Sequence, residues 1–324
     1  MVLFITEQGS RITRQGRVLM VSKNGEKIFM YPLEAISQLV IMGQVEVSTA
    51  MLGLLMRSGV DTVLLARDGR YKGRIVGETS KNILLREIQF ARRAEPAFAN
   101  QISRQILLAK IRNSRNLLRR QQRNLYEDHQ QRIENALKSV ERAPGLAVLR
   151  GFEGQFAALY FKIFPQLLRE AFGFRKRRKH PPPDPLNILL SFGYTLLFNT
   201  LYALVETAGL DPYAGFFHQS SYGHPALASD LMEPYRAPIV DRLIIRLVNG
   251  EKLTPESFEK IEGGWRFKEE SIKIFVTEYQ QRLLTRFSYN ERQETLWSVL
   301  QKDVQQFCRC LKGESDDYRP FIFS

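Results

Sequence analysis

The spacing of apolar residues changes near residue 85 and divides the chain into two regions. Before that point, short apolar runs are separated by turn residues such as Asn24-Gly25. After it, apolar residues recur three or four positions apart, as at Ile102, Ile106 and Ala109. Because strands bury every second residue and helices every third or fourth, we expect an α+β protein, with a small N-terminal β domain followed by a larger all-helical domain.

The N-terminal domain is expected over residues 1–85 as strands plus one short helix. Asn24-Gly25 and Asp68-Gly69 favour two-residue turns. They predict two hairpins, 18–21 with 28–31 and 63–66 with 71–76. Between the hairpins, residues 36–42 indicate a buried strand, and Ser48 is the expected N-cap of a short helix that stops at Gly59.

Residues 86–324 are expected to form the helical domain. Apolar periodicity predicts helices at 82–94, 96–125, 127–140, 152–172, 186–208, 238–248, 267–287 and 290–312. Residues 180–185 contain four prolines, which lack an amide donor and restrict the residue before them. This segment is therefore predicted to be an internal loop.

Charge and cysteine content narrow the class of partner and the compartment. With 47 Lys and Arg against 34 Asp and Glu, the net charge is +13. That surplus favours an acidic partner, nucleic acid first, although solubility would also explain it. Cys308 and Cys310 cannot build a disulfide framework, and no apolar run approaches the roughly 20 residues of a membrane span. We expect a cytoplasmic protein without membrane attachment.

The basic residues concentrate between positions 104 and 179. One set lies three or four residues apart and would form a stripe along a helix, able to follow a phosphate backbone: Arg112, Arg115, Arg119 and Arg123. The alternative is a solvated helix face. A second set is a run of adjacent cations before the proline loop, which we expect to be mobile: Arg175, Lys176, Arg177, Arg178 and Lys179. Phosphate contact and simple solvation are equally good interpretations of this run.

Acids embedded among apolar residues are candidates for chemistry, because a buried charge is costly. Glu153 lies between Gly151 and Gly154, expected near the start of a helix, and the glycines would let another backbone or a ligand approach. The alternative is an acid stabilising a helix N-terminus. Of the four histidines, His218 and His224 lie in apolar surroundings, where a hydrogen-bonded core residue is the alternative to a ligand.

Asp230 and Glu233 lie three residues apart and so would share one face of a helical turn. Like charges at that spacing repel unless a cation lies near them, which a divalent metal would provide. A salt bridge from Glu233 to Arg236 is the alternative. Carboxylates with one imidazole suit Mg²⁺ or Mn²⁺, and such a site in a basic protein favours phosphodiester chemistry.

The sequence resembles the "Cas one" family of CRISPR-associated endonucleases and integrases over essentially its whole length. The resemblance is carried by an ordered set of motifs: Val60-Asp61-Thr62-Val63, Arg150-Gly151-Phe152-Glu153-Gly154, Gly209-Leu210-Asp211-Pro212, Gly215-Phe216-Phe217-His218, Leu227-Ala228-Ser229-Asp230-Leu231-Met232-Glu233-Pro234-Tyr235-Arg236 and Val240-Asp241-Arg242. Each motif by itself is weak, but the ordered set is specific.

The resemblance implies an N-terminal domain that mediates homodimerisation and a helical catalytic domain. It implies that Glu153, His218 and Glu233 bind Mg²⁺ or Mn²⁺, with Asp230 beside them as a catalytic residue; the choice between Asp230 and Glu233 as a ligand stays open. The activity would be DNA cleavage and insertion of spacers into a CRISPR array by 3′-hydroxyl transesterification, in antiviral defence. Partners would be duplex DNA with single-stranded ends and the small "Cas two" protein, with Arg236 and the basic residues above on DNA.

Two alternatives stay open at this point. Within the enzymes, the chain could cleave branched DNA without integrating it. In a different class, it could be a non-catalytic nucleic-acid-binding scaffold whose acids are structural, which predicts no dependence on metal.

Overall fold

The N-terminal part of the computed structural model is built from strands and the remainder mainly from helices, which confirms the predicted fold class. The structure describes residues 1–67, 69–75, 77, 82–178, 182–219, 221–262, 264–289 and 292–323. Among the predicted features, the residues that lie outside these ranges are Asp68, Val76, Lys179, His180, Pro181, Asn290 and Glu291.

The described residues of the N-terminal region form eight strands and one α-helix. They are β1 (Val2–Ile5), β2 (Ser10–Gln15), β3 (Val18–Lys23), β4 (Glu26–Pro32), β5 (Gln38–Met42), β6 (Val45–Val47), α1 (Thr49–Arg57), β7 (Asp61–Leu65) and β8 (Tyr71–Ile75). One sheet has the order β1-β5-β7-β8, in which only β8 is antiparallel to its neighbour. The other has the order β4-β3-β2-β6.

Both predicted hairpins are present, as β3–β4 and β7–β8. Asn24 and Gly25 have φ values of 53° and 84°, the left-handed conformations that a two-residue hairpin turn requires. The predicted buried strand is β5. Ser48 caps α1 through a 3.3 Å hydrogen bond from the Met51 amide. Strands β1, β2 and β6 were not predicted from the sequence.

The first sheet separates two cores, because alternate residues of its strands point to opposite faces. In β5, Leu39 and Ile41 pack with the second sheet and α1, whereas Val40 and Met42 pack with the helices. The strand is consequently buried on both faces. This arrangement places the helical region directly against the β-sheet.

The helical region contains ten helices and two hairpins in its described residues. They are α2 (Ile83–Ala94), α3 (Pro96–Gln121), α4 (Arg123–Glu127), α5 (Gln130–Glu141), α6 (Leu146–Ile163), α7 (Pro185–Thr207), α8 (Ala226–Met232), α9 (Arg242–Asn249), β9 (Phe258–Ile261), β10 (Gly264–Phe267), α10 (Glu269–Leu284), β11 (Arg286–Tyr289), β12 (Arg292–Thr295) and α11 (Leu296–Leu311). Strand β9 pairs with β10 and β11 with β12.

Several predicted helix boundaries were wrong. The helix predicted at 96–125 ends at Gln121, because Gln122 is extended with a φ of −154°. The helix predicted at 152–172 begins at Leu146 and ends at Ile163. The one predicted at 290–312 begins only at Leu296, where Thr295 and Ser298 form a capping box. Residues 292–295 of that predicted helix instead form strand β12, which pairs with β11 and was not predicted.

Helix α7 is the central helix of the larger core. This helix of 23 residues is long and apolar enough to cross a membrane, whereas the sequence was expected to contain no such segment. However, 78% of its most apolar 18-residue stretch is buried inside the protein. Buried apolar helices of this kind are common in the cores of folded domains.

The chain between α8 and α9 changes helical pitch twice. A 3₁₀ turn covers Glu233–Tyr235 and a π turn covers Arg236–Asp241. Pro234 and Pro238 lie in these turns, and a proline removes an amide donor and collides with the carbonyl four residues earlier. The altered pitch accommodates both prolines, and such π turns are frequent at functional sites.

Candidate active site

Glu153 lies in the middle of α6 and faces α3. The expectation that it lies near a helix start was wrong, since α6 begins at Leu146. A Cβ atom added at Gly151 or Gly154 would have no neighbour within 4 Å. The surface beside the partly exposed Glu153 carboxylate is therefore open to a ligand. This carboxylate forms a hydrogen bond with the ammonium of Lys110 on α3.

Asp230 is fully buried on α8 and holds the loop that carries His218. Its Oδ2 accepts hydrogen bonds from the amides of Phe216 and Phe217 at 2.6 and 2.9 Å, and its Oδ1 accepts one from the His218 amide at 2.9 Å. Oδ1 also lies 2.6 Å from Nδ1 of His218. A carboxylate accepts only, so the imidazole donates from Nδ1, and in the neutral form of the ring Nε2 carries the lone pair.

Gly215 permits this close packing. A Cβ atom there would lie 2.6 Å from Cβ of Ala226 and 2.9 Å from Oδ2 of Asp230. His224, the other candidate histidine, lies with its ring 6.1 Å from that of His218, and its Nε2 is 3.2 Å from the Ser229 hydroxyl.

Glu233 is 2% exposed and lies among three cationic or titratable groups. Its Oε1 is 2.8 Å from Nη2 of Arg236 and 3.7 Å from Nε2 of His218, and its Oε2 is 2.8 Å from Nζ of Lys110. The Lys110 contact lacks the angle of a hydrogen bond, so Oε2 is a buried oxygen without one. Burial raises the pKa of the Glu233 carboxyl, but Arg236, Lys110 and His218 outweigh it and hold that pKa at about 2.

Lys110 is a site residue that was not singled out from the sequence. It is 8% exposed on α3 and contacts both Glu153 and Glu233. The signal was present: Lys110 interrupts the apolar run Leu107, Leu108, Ala109 and Ile111. The criterion applied to embedded acids, that a charge in an apolar run needs a partner, applies equally to this cation.

The four predicted site residues Glu153, His218, Asp230 and Glu233 thus lie in one cluster. In the part of the chain that the structure describes, no three His, Cys, Asp or Glu side chains converge closely enough to hold a metal ion as they stand. The Lys110 ammonium lies between two of the carboxylates instead.

A buried network of hydrogen bonds and a ring contact holds Arg236 beside the cluster. Asp241 accepts hydrogen bonds from the hydroxyls of Tyr160 and Tyr194, both at 2.7 Å, and burial raises the pKa of its carboxyl to about 6. The guanidinium of Arg236 lies 4.8 Å from the centre of the Tyr194 ring, a distance that permits a cation–π contact. These contacts orient Arg236 toward Glu233.

A cleft of about 530 Å³ opens beside His218. Arg150 lies in its wall and donates from Nε to the Phe217 carbonyl at 2.8 Å, and Arg93 donates from Nε to the Gly215 carbonyl at 2.9 Å. Both guanidinium groups are therefore attached to the loop that carries His218.

The predicted basic stripe is divided between two environments. Arg112 and Arg115 are half-buried and face α5, where their guanidinium groups lie 3.5 Å from Glu141 and 3.0 Å from Glu134. Arg119 is exposed near the end of α3, and Arg123 lies beyond the break in α4, paired with Glu127. The four residues therefore do not form one continuous stripe.

Residues 175–178 are not the free loop that the sequence suggested. Arg177 turns inward, where it donates to Asn187 and Ser191 of α7 at 2.9 and 3.1 Å, and burial lowers its pKa. The Asn187 side chain also bonds the backbone of Lys176 and Arg178. The side chains that remain exposed are Arg175, Lys176 and Arg178.

Comparisons with known proteins identify the family of this chain. A model of the family described as CRISPR associated protein Cas1 matches residues 3–281. The chain is 35% identical over 324 residues to CRISPR-associated endonuclease Cas1 3 of Thermus thermophilus, covering 99% of this chain and 96% of that protein. A solved casposase bound to integration product has a TM-score of 0.86 at 20% identity, covering 100% of this chain and 94% of that one. A chain of a Cas6-RT-Cas1–Cas2 complex has a TM-score of 0.83 at 26% identity, covering 99% of this chain and 36% of that one. The predicted resemblance is confirmed, and the chain belongs to the CRISPR-associated protein Cas1 family.

Proposed function

We propose that the protein is a divalent-metal-dependent DNA endonuclease and integrase that inserts short DNA fragments as spacers into a CRISPR array. The observation that carries this proposal is the gathering of Glu153 and Glu233 around one cation, the Lys110 ammonium, with Nε2 of His218 3.7 Å from Glu233. The name of the Thermus relative, an endonuclease, and the integration product bound by the casposase support this class of reaction.

The side chains present fit a divalent cation. Glu233 Oε2 is a buried oxygen without a hydrogen bond, and carboxylates with one imidazole are suitable ligands for Mg²⁺ or Mn²⁺. Glu153, Glu233 and Nε2 of His218 would hold the ion. When bound, the ion would lower the pKa of a nucleophile and stabilise negative charge on the phosphate.

The chain's own residues prepare this site. Arg236 and Lys110 keep Glu233 ionised at neutral pH, so its carboxylate is ready to act as a ligand. Asp230 has both oxygens committed to the loop amides and the imidazole, so its role would be to orient His218 rather than to bind the ion. In the proposed transesterification, a 3′ hydroxyl loses its proton and bonds to phosphorus at a repeat boundary, while another phosphorus–oxygen bond breaks and releases a new 3′ hydroxyl.

DNA would reach the site over the exposed basic side chains. Arg119, Arg175, Lys176 and Arg178 are exposed, whereas Arg112, Arg115, Arg177 and Arg236 already have protein partners and would contact DNA only by sharing or exchanging them. Lys179 is part of the same proposed set. Salt-sensitive binding is the expected property of such contacts.

The assembly proposed for this chain is a homodimer formed through the N-terminal region, residues 1–85, with residues 86–324 as the catalytic domain. The complex that contains Cas1 and Cas2 supports a small Cas2 protein as partner. The expected location is the cytoplasm, where the CRISPR array is accessible.

The proposal is tested by strand transfer into a supercoiled plasmid that carries the repeat, with Cas2 present. Glu153→Ala, His218→Ala and Glu233→Ala should each lower strand transfer by more than about a hundredfold, with DNA binding in a gel-shift assay largely retained. Glu270→Ala, which removes an exposed carboxylate on α10, is the matched control and should leave the rate unchanged.

Other outcomes would replace the proposal. Strand transfer that all three variants retain would exclude this cluster as the active site. Cleavage of branched DNA without integration would identify a nuclease. Strand transfer that is unchanged by EDTA would exclude a metal-dependent reaction, and DNA binding without any product in the presence of metal would identify a non-catalytic scaffold.

A further inference from the structure

Lys110 occupies the position between Glu153 and Glu233 that a bound cation would be expected to take. Its ammonium forms a hydrogen bond with Glu153 and lies 2.8 Å from Oε2 of Glu233. Glu153 makes no other hydrogen bond or ion pair with the residues that the structure describes. The side chain of Lys110 is 10% exposed, so it is held inside the protein rather than extended into water.

The cluster would carry an excess positive charge if it held both Lys110 and a divalent ion. Glu153, Asp230 and Glu233 carry three negative charges, and Lys110 and Arg236 carry two positive ones, which leaves a net −1. Exchanging Lys110 for a divalent ion would make the cluster neutral, whereas adding the ion without removing Lys110 would give +1. Two cations on the same carboxylate oxygens also repel strongly in a buried setting.

Glu233 keeps a partner when Lys110 leaves. Its Oε1 remains 2.8 Å from Arg236, which is itself held against the Tyr194 ring. The two oxygens of Glu233 are thus assigned to different cations. Oε1 belongs to the fixed Arg236 and Oε2 to the cation between the two carboxylates, so exchange at Oε2 does not leave a buried carboxylate unpaired.

We propose that Lys110 is a built-in counter-cation that holds Glu153 and Glu233 together before metal binds and is displaced from them by the divalent ion. This inference rests on the proposed function, because it assumes that these carboxylates bind the metal. It makes Lys110 a positioning residue whose charge weakens metal affinity while it preserves the empty site. Metal occupancy would then depend on competition within the protein.

The test measures metal affinity directly, without DNA. Mn²⁺ is titrated into the full-length protein and the free ion is followed by electron paramagnetic resonance. Lys110→Met should bind Mn²⁺ at least about tenfold more tightly than the wild type, because the competing charge is removed. Its metal-free form should melt at a lower temperature, and Mn²⁺ should raise that temperature more than it does for the wild type.

Two further variants make the result decisive. Lys138→Met removes an exposed lysine on α5 and should leave Mn²⁺ affinity unchanged. Lys110→Gln is also neutral but can still donate hydrogen bonds to one carboxylate, so it tests the same idea if Lys110→Met does not fold. Tighter Mn²⁺ binding by either neutral variant supports the proposal.

Equal or weaker binding by the folded neutral variants would overturn the displacement of Lys110 but not the metal site. No Mn²⁺ binding by the wild type and by every variant would reject the metal site as well, and with it the proposed function. Mn²⁺ binding by a neutral variant but not by the wild type would support the proposal most strongly, because Lys110 would then exclude the ion completely.

Discussion

Asp230 and Glu233 lie three residues apart, yet their carboxylates have different partners. Asp230 bonds the backbone amides of the loop that ends at His218, whereas Glu233 faces Lys110 and Arg236. The salt bridge from Glu233 to Arg236, which was the alternative to a metal at these acids, is present. The metal itself stays a prediction. Glu233, rather than Asp230, has an oxygen free of hydrogen bonds, which favours it as the ligand.

Asp303 provides a residue-scale prediction about pH. This acid of α11 is 4% exposed and accepts a 2.7 Å hydrogen bond from Tyr318, and burial raises the pKa of its carboxyl to about 7 from 3.8. Because the folded form retains the proton more strongly than the unfolded chain, its contribution to stability is full below about pH 4 and is lost as the pH rises to about 7.

Asp303→Asn should remove this dependence. The free energy of unfolding of the wild type relative to the variant is expected to fall by a few kcal/mol between pH 4.5 and 7.5, as measured by urea denaturation across that range. A constant difference between the two proteins would show that Asp303 does not titrate in this interval. Asp241, with its pKa at about 6, contributes in the same direction to both proteins and cancels in the comparison.

At the scale of elements, Gly193 lets α7 approach the π turn that follows Glu233. A Cβ atom at Gly193 would lie 2.4 Å from Cγ1 of Val240 and 3.1 Å from Cζ of Phe275. The next residue on α7 is Tyr194, which bonds Asp241 and lies against Arg236. The close contact of the two elements therefore sets the geometry behind the site.

Gly193→Ala should consequently destabilise the protein, although alanine is the better helix former. Overpacking costs about 1–3 kcal/mol and the gain in helix propensity is about 1 kcal/mol. Gly154→Ala on α6 is the matched control, because its Cβ meets nothing within 4 Å, and should stabilise by roughly 0.5–1 kcal/mol. Urea midpoints of the two variants should move in opposite directions; a shift of both toward higher urea would contradict the close packing.

The helix boundaries show which elements could be predicted. Long amphipathic or apolar stretches such as α2 and α7 were placed within one or two residues, because their periodicity is local. The start of α11 was missed because the capping box of Thr295 and Ser298 determines it, and the strands of the β9–β10 and β11–β12 hairpins are too short to show a period.

At the scale of the whole molecule, a buried polar network joins the first sheet to α7. Gln38 of β5 donates to Asp61 of β7 at 2.7 Å and to the Asn199 carbonyl at 3.0 Å. Arg74 of β8, with a side chain 6% exposed, bonds the same Asp61 carboxylate and the same carbonyl. The two regions are thereby connected by charge and hydrogen bonds as well as by the shared core.

Asp61→Asn should weaken the whole molecule, because Arg74 then becomes a buried cation whose remaining acid, Glu206, lies 3.8 Å away. Loss of one partner from a buried pair costs up to roughly 3–5 kcal/mol, and a single cooperative transition should persist in circular dichroism and tryptophan fluorescence. Glu34→Gln, which breaks the exposed pair with Arg17, serves as control and should leave the urea midpoint unchanged. Separate transitions for the two regions in wild-type protein would contradict the coupling.

The sequence by itself determined the fold class and the long helices, and the order of motifs determined the family, because periodicity, turn residues and motifs are local properties of the chain. The tertiary structure decided which charges meet. Lys110 lies 43 positions from Glu153, and Gln38 lies 161 positions from the Asn199 carbonyl to which it donates. No local pattern encodes such distances. Packing of α3 against α6 and of the first sheet against α7 brings these groups together, since a buried charge must find its counter-ion wherever the fold places one.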